Sequence, residues 1–538
     1  MTPVAPSSPG ARVPSLPARW NLAMVAATAL SLSIGWGIRG NFGHEFGAMI
    51  PGALAAMAAV ILSGRADWWS RIAHFAFFGA LGWSFGGSIS YMQVIGYTHS
   101  GDSVSVLYGF ACLFVIGFLW AAMGGAGTAL PALLSREKLS AFYAPLAWVF
   151  AAWCLQGFVE DRWVAVDPDY RHRSPLYWYD TDWLAALTAV VVVSTRALVR
   201  RRLDDASALI LHMAVGWWAG FLGLVILLGW RMTPPRGDNW AGCVGMVAGL
   251  WLFLARRRWN GALFVSLLSG WVGGLGFAAA AMFKLIEVKS GWSANWHSVL
   301  EQTYGLINGL GVAVAMICLA KRQPPPEEQG TAHAWTDPAA VLSVLLGITY
   351  LNLSKNPAAW VKAQAVPTEM YGWSALSWFN LTYLVAAAGM LWLIRRHRQR
   401  RLALVPASPL GRAQAFYVVF LWWMVIGNFE RAVTSFTAQR LITEGVIFLN
   451  AVLATLLVLS HPGGSAATRA DTAGDYGDWL RRTAWLGLAG FVAAVFVTWG
   501  TVRAVWGNQF AGHASLHIRF GTNATATKIE PPPSLPHP

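Results

Sequence analysis

Apolar stretches close to the ~20 residues that span a bilayer as an α-helix recur from residue 20 to residue 502, joined by short charged or aromatic segments. With 56% hydrophobic and only 12% charged residues, such a chain cannot be a soluble globule. The expected fold class is an all-α polytopic membrane protein. A ~19-residue hydropathy window places about fifteen transmembrane helices near 20–38, 46–63, 71–96, 104–134, 140–158, 183–199, 207–231, 239–255, 260–283, 301–320, 337–354, 373–395, 413–431, 440–460 and 480–502.

Two of the interruptions resemble each other. Gly35-Trp36-Gly37-Ile38-Arg39-Gly40-Asn41 is echoed by Gly229-Trp230-Arg231 through Arg236-Gly237-Asp238. Each is followed by a second Gly-Trp element with two glycines behind it, Gly82-Trp83 with Gly86-Gly87 and Gly270-Trp271 with Gly273-Gly274. The order is preserved, which points to internal duplication. Six helices separate the paired motifs, and an even number keeps orientation, so the expected repeat is parallel: helices 1–6 over residues 20–202 and helices 7–12 over 203–400. Residues 401–502 then form a C-terminal helical extension, residues 1–19 a disordered cytoplasmic tail and 503–538 an extracytoplasmic tail. A third, weaker echo lies in Gly427-Asn428-Phe429-Glu430 beside Gly40-Asn41-Phe42. Six plus six helices is similar in layout to the major facilitator transporters, but Gly64 to Arg71 lacks that family's cytoplasmic signature, so membership is not inferred.

Charge sets the orientation. With the N-terminus in the cytoplasm, 24 of the 39 basic residues fall on inside segments and the outside segments carry no net charge, as the positive-inside rule demands. The net charge of +14 therefore means membrane lipid as a partner and no nucleic acid. The expected location is an integral membrane protein of the plasma or inner membrane, with the C-terminus outside. Cys112, Cys154, Cys243 and Cys318 all lie in apolar segments without paired spacing, which argues against disulfides or a cysteine metal site.

The densest chemistry is Arg39-Gly40-Asn41-Phe42-Gly43-His44-Glu45-Phe46-Gly47, a break too short for a solvated loop. Arg39 and Asn41 are candidate substrate binders, since a guanidinium grips carboxylate or phosphate bidentately. His44 and Glu45 are the proton-carrying candidates, and all of these groups are expected to share one pocket. His44-Glu45 is no zinc-protease signature, because Ala48 stands where the second His belongs. No metal or cofactor is expected. Gly82-Trp83-Ser84-Phe85-Gly86 matches a nucleophile-elbow pattern, yet inside an apolar helix that spacing makes a packing face.

Further substrate-binding candidates are Arg231, Arg236 and Asp238 in the second break, and Glu430 with Arg431, which as sequence neighbours cannot pair face to face on a helix. The loop from Glu160 to Trp183 alternates carboxylates with aromatics, which suits a sugar; Asp161 and Asp169 are alternative bases there and Trp178 a stacking surface. Aromatic belts at the bilayer surface account for most of the 31 tryptophans. Other charges near the membrane are Lys284 with Glu287, Glu301, Lys355, and Arg440 with Glu444. Two functions follow. One is a proton-coupled secondary transporter of a small polar solute, a sugar or carboxylate, whose halves rock about a midplane site. The other is an extracytoplasmic-facing transferase acting on a lipid-linked or sugar substrate.

Overall fold

A computed structural model describes residues 18–99, 103–166, 182–230, 232, 238–292, 294–328, 330–434, 437–463 and 476–507. The fold is helical, and thirteen of the described helical segments are long and apolar enough to cross a membrane. The chain begins with α1 (Ala18–Arg39), α2 (His44–Leu62), a short α3 (Ala66–Trp69), α4 (Ile72–Gly86) and α5 (Met92–Thr98). It continues with α6 (Ser103–Leu133), α7 (Arg136–Val166), α8 (Trp183–Arg200), α9 (Asp205–Gly220), α10 (Asn239–Arg256), α11 (Asn260–Ser290) and α12 (Trp296–Arg322). One further crossing is assembled from α13 (Thr336–Leu342), a π-helical turn at Ser343–Ile348, α14 (Thr349–Leu353) and α15 (Asn356–Lys362). The last four helices are α16 (Ala375–Gln399), α17 (Pro409–Val433), α18 (Ala438–Leu459) and α19 (Gly477–Trp506). A two-residue hairpin, β1 (Glu369–Met370) with β2 (Trp373–Ser374), precedes α16.

The core is a ring. α1 packs on α2, α2 on α4, α4 on α6, α6 on α11, α11 on α12, and α12 returns to α1. Lipid tails are as apolar as leucine, so helices in a bilayer gain from close packing more than from hydrophobic burial, and small residues permit it. A Cβ at Gly52 would meet the Gly79 carbonyl oxygen at 2.5 Å, and one at Gly117 would meet that of Gly273 at 2.4 Å. Neither site can hold a larger residue without parting two backbones.

Tryptophan fills notches in the same ring. The Trp83 indole lies where a Cβ on Gly124 would come within 2.2 Å of it, and Gly86 faces the Trp120 backbone. Gly82 likewise meets the Met123 carbonyl, so the Gly82–Gly86 segment is the packing face its spacing implies. Trp36, Trp68, Trp83 and Trp120 are fully buried and so belong to the interior, not to a membrane-surface belt. Trp83 and Trp120 replace the missing volume of the glycines they face, Gly52 and Gly124 for the first and Gly86 for the second.

One expected helix is broken. The apolar run over 71–96 divides after Gly86, and residues 87–91 cross over before α5 begins. Gly86-Gly87 is the cause: consecutive glycines are poor helix formers and lose the most freedom when held in one. The crossover carries Ser88 and Tyr91 into the site described below.

At the end of the bundle where α2 leads into α4, arginines clamp the α12–α13 link. Arg65 donates to the carbonyls of Ala320 and Gln323, at 2.9 Å and 2.7 Å, and Arg71 pairs with Glu328. His74 bridges Tyr143 and Asp337, with separations of 2.6 Å and 2.7 Å. The opposite end carries the α1–α2 turn and is termed the turn face.

Candidate functional site

Arg39 ends α1, and its side chain is only 3% exposed. A charge so placed needs a partner, because ionised groups are costly to strip of water. That partner is Glu301, on the first turns of α12 and 2% exposed, whose Oε1 accepts from Arg39 Nη1 at 2.8 Å. Arg39 Nη2 donates to the Gly87 carbonyl at 3.3 Å, and the guanidinium carbon lies 5.1 Å from the Trp36 ring centre and 5.5 Å from that of Trp120. Gly40 leaves room for the carboxylate, since a Cβ there would stand 2.9 Å from Glu301 Oε2.

Two further groups converge on Glu301. The Tyr91 hydroxyl donates to Oε1 at 2.8 Å. His297, one helical turn earlier on α12, holds Nε2 at 3.7 Å from that oxygen and 3.3 Å from the Tyr91 oxygen, with its ring stacked on Tyr91 at 5.9 Å between centroids. Burial, and then the Glu301 carboxylate, push the Tyr91 phenol well above its usual range, so it stays a neutral donor. The side chain of His297 is 38% exposed and is the member of the group that water reaches. Beneath the group lies an aromatic floor. Trp36 stacks on Trp120 at 4.8 Å, and Tyr304 meets Trp36 edge-on at 4.8 Å.

The α1–α2 turn is a tight four-residue link, Gly40 to Gly43, with Gly43 at a positive φ of 96° that a side chain would strain. Asn41 donates to Asn428 at 2.7 Å, and Asn428 donates to Glu444 at 2.5 Å. The two Gly-Asn-Phe segments that resemble each other in sequence therefore meet through their asparagines. Lys355 caps the Phe42 carbonyl, while Arg431 donates to the Lys355 carbonyl at 3.1 Å and lies 5.6 Å from the Phe42 ring centre. α15, α17 and α18 thus hold the turn in place.

Arg39 and Glu45 do not share a pocket. Gly47 packs its α-carbon onto the Arg39 backbone, and two residues rotate an α-helix by about 200°, which directs Glu45 to the far side of α2. Glu45 is exposed there and lines a cavity of about 490 Å³. Ser84, Ser88, Cys154 and Asp182 also line it, and the rest of the wall is apolar, including Phe78, Leu130 and Trp217. Asn239 ties the polar end together, donating from Nδ2 to Asp182 at 3.2 Å and accepting from the Asp182 backbone N–H at 2.9 Å. The crossover after α4 is the wall between the two sites: Gly87 and Tyr91 serve the Arg39 group, and Ser88 faces the cavity.

Asp238 is 1% exposed and accepts from the Met232 N–H at 2.8 Å and the Trp240 indole at 3.1 Å. Asp161 and Glu430 are exposed, near the ends of α7 and α17. Asp169, Trp178, Arg231, Arg236 and the His44 side chain lie outside the described residues. Among the described residues the four cysteines are unbridged, and no cluster of three metal-ligating side chains occurs. The residues that complete the site, Glu301, Tyr91 and His297, come from two separate segments. Glu301 carried a usable signal: an arginine at the end of one apolar helix needs an acid, and Glu301 lies in the first turns of another. Comparisons with protein-family models, curated proteins and solved structures found no match to this chain.

Proposed function

We propose that the chain is a membrane enzyme of the transferase class, working at the extracytoplasmic face on a lipid-linked substrate, with Arg39, Glu301, Tyr91 and His297 as its reaction centre. The observation that carries this reading is a buried polar group with His297, 38% exposed, at its edge and the packed rings of Trp36, Trp120 and Tyr304 beneath it. In this reading the turn face is extracytoplasmic, because the arginine-rich ends then lie inside.

Each residue has a role that follows from its place. Glu301 orients the His297 imidazole and balances the positive charge that it gains as a base. Tyr91 donates to the carboxylate and fixes its geometry, and Arg39 is its charged partner in a dry site. An acceptor hydroxyl gives its proton to the His297 imidazole as its oxygen bonds to the transferred group. The imidazolium then returns the proton to the departing oxygen as the old bond breaks, which restores the enzyme. The substrate's apolar part is accommodated by the neighbouring cavity.

Transport by rocking halves draws support from the duplicated motifs and the proposed six-plus-six repeat. Backbone contact between α6 and α11 at Gly117 and Gly273 joins those would-be halves tightly, and this favours the enzyme. The deciding experiment reconstitutes the protein in liposomes of polar lipid extract and follows lipid masses beside uptake of labelled sugars and carboxylates. New lipid masses that vanish in His297→Gln support transfer. Solute accumulation with unchanged lipid masses refutes it.

A further inference from the structure

α16 is the crossing least held by the rest of the chain: no residue of its most apolar stretch is buried, which is true of no other described crossing. Its first half rests on α14 and α15 through Tyr383 against Tyr350 and Phe379 against Trp360, with ring centres 5.3 Å and 5.4 Å apart. Its last turn is tied by Arg398, which donates to the Ala334 carbonyl at 2.7 Å. Within three residues of that tie are Arg395, Arg396, Arg400 and Arg401, all exposed and, among the described residues, with no side-chain hydrogen bond and no ion pair. We infer that these four arginines bind the head group of an anionic phospholipid whose chains lie along α16.

Charge and its surroundings select the occupant. Four cations crowded at the end of a transmembrane helix call for an anion between them, and each basic residue near an anionic membrane surface strengthens attachment roughly fivefold. The negative end of the helix dipole steadies cations in the last turn, but Arg400 and Arg401 lie past Gln399, where the helix stops. A second copy of α16 in parallel contact would bring like charges together, so the bare helix is not a seat for its own twin. A soluble anion needs no apolar neighbours, whereas Trp392, about one turn before Arg396, is 62% exposed and Leu404, three residues after Arg401, is 96% exposed. A tryptophan at headgroup level and an exposed leucine among cations fit a lipid surface. Binding here needs no chemistry at His297, so it stands apart from the proposed reaction.

Ala403, exposed in the loop after α16, places a reporter beside the arginines. Ala403→Cys is labelled with bimane in the full-length protein, with Cys154→Ser and Cys318→Ser so that only the buried Cys112 and Cys243 remain elsewhere. In nanodiscs of phosphatidylcholine, doxyl-labelled phosphatidylglycerol should quench the label at a roughly tenfold lower mole fraction than doxyl-labelled phosphatidylcholine. R395Q/R396Q/R400Q/R401Q should abolish that preference, and an unshifted melting midpoint shows that this variant is folded. R395K/R396K/R400K/R401K should keep most of the preference, and R200Q/R201Q/R202Q, which removes exposed charge at the end of α8, should leave it unchanged. Equal quenching by both lipids, a preference that survives R395Q/R396Q/R400Q/R401Q, or an equal loss in R200Q/R201Q/R202Q would overturn the inference. Displacement of the labelled lipid by inorganic phosphate at constant ionic strength would overturn it too, since that marks a site for any phosphate.

Discussion

Replacing Glu301 by glutamine keeps the shape of the site and removes one charge. Arg39 would then be a 3%-exposed cation whose remaining neighbours include the Gly87 carbonyl and the faces of Trp36 and Trp120. Breaking a buried ion pair from one side costs about 3–5 kcal/mol, because the surviving charge stays without compensation. Two cation–π contacts return ~1–2 kcal/mol each when desolvated, but they are present in the native protein too and do not change the difference. Arg39→Met is expected to cost less than Glu301→Gln. The carboxylate it leaves behind keeps the Tyr91 hydroxyl at 2.8 Å and has the His297 imidazole at 3.7 Å. Removing both charges, as Arg39→Met with Glu301→Leu, should recover most of the loss, since a buried pair is replaceable by apolar groups of similar volume. The assay is thermal unfolding in detergent followed by tryptophan fluorescence. Glu301→Gln should lower the midpoint by roughly 3–4 °C. A double variant as unstable as the sum of the singles, or a single Glu301→Gln with no shift, would refute the reasoning.

Gly124→Ala drives a methyl group to within 2.2 Å of the Trp83 ring and should destabilise by about 1–3 kcal/mol; Gly96→Ala, with nothing within 4 Å, should be neutral in the same melting assay. Asn428→Leu strands the Asn41 amide and the Glu444 carboxylate together, for an expected loss of about 1–3 kcal/mol, measured against Asn428→Gln. His461 lies edge-on to Trp69 at 5.5 Å, and burial lowers its pKa below the ordinary value. Its contribution to stability is complete above about pH 6.5 and is lost as the pH falls through that value towards the lowered one, so the melting midpoint should drop over that interval in the wild type and less in His461→Asn. For topology, Trp292→Cys should react with an impermeant maleimide added outside intact cells, and Leu404→Cys should react only after lysis; the two positions are 69% and 96% exposed.

The reading of this sequence worked where chemistry is local. Gly40 and Gly43 announced the turn between α1 and α2, and the spacing of Gly82 with Gly86 announced a packing face. Glu430 and Arg431 were read as unable to pair with each other, and Arg431 lies instead over Phe42. The division of the 71–96 run was legible in Gly86-Gly87 but was outweighed by the hydropathy of its flanks. Hydropathy averages over a window, and a two-residue break disappears in it.

Apolar length and charge placement determined by themselves that the chain is helical and belongs in a membrane, because no other backbone arrangement of such a sequence satisfies its own hydrogen bonds in hydrocarbon. The partners were decided by the tertiary structure. Arg39 and Glu301 lie 262 residues apart and meet because α12 returns to α1 to close the ring. Glu45, six residues from Arg39, faces a different cavity because the chain turns and the helix rotates. Sequence distance measures neither effect: pairing of buried charges is set by which helices touch and which way their faces point.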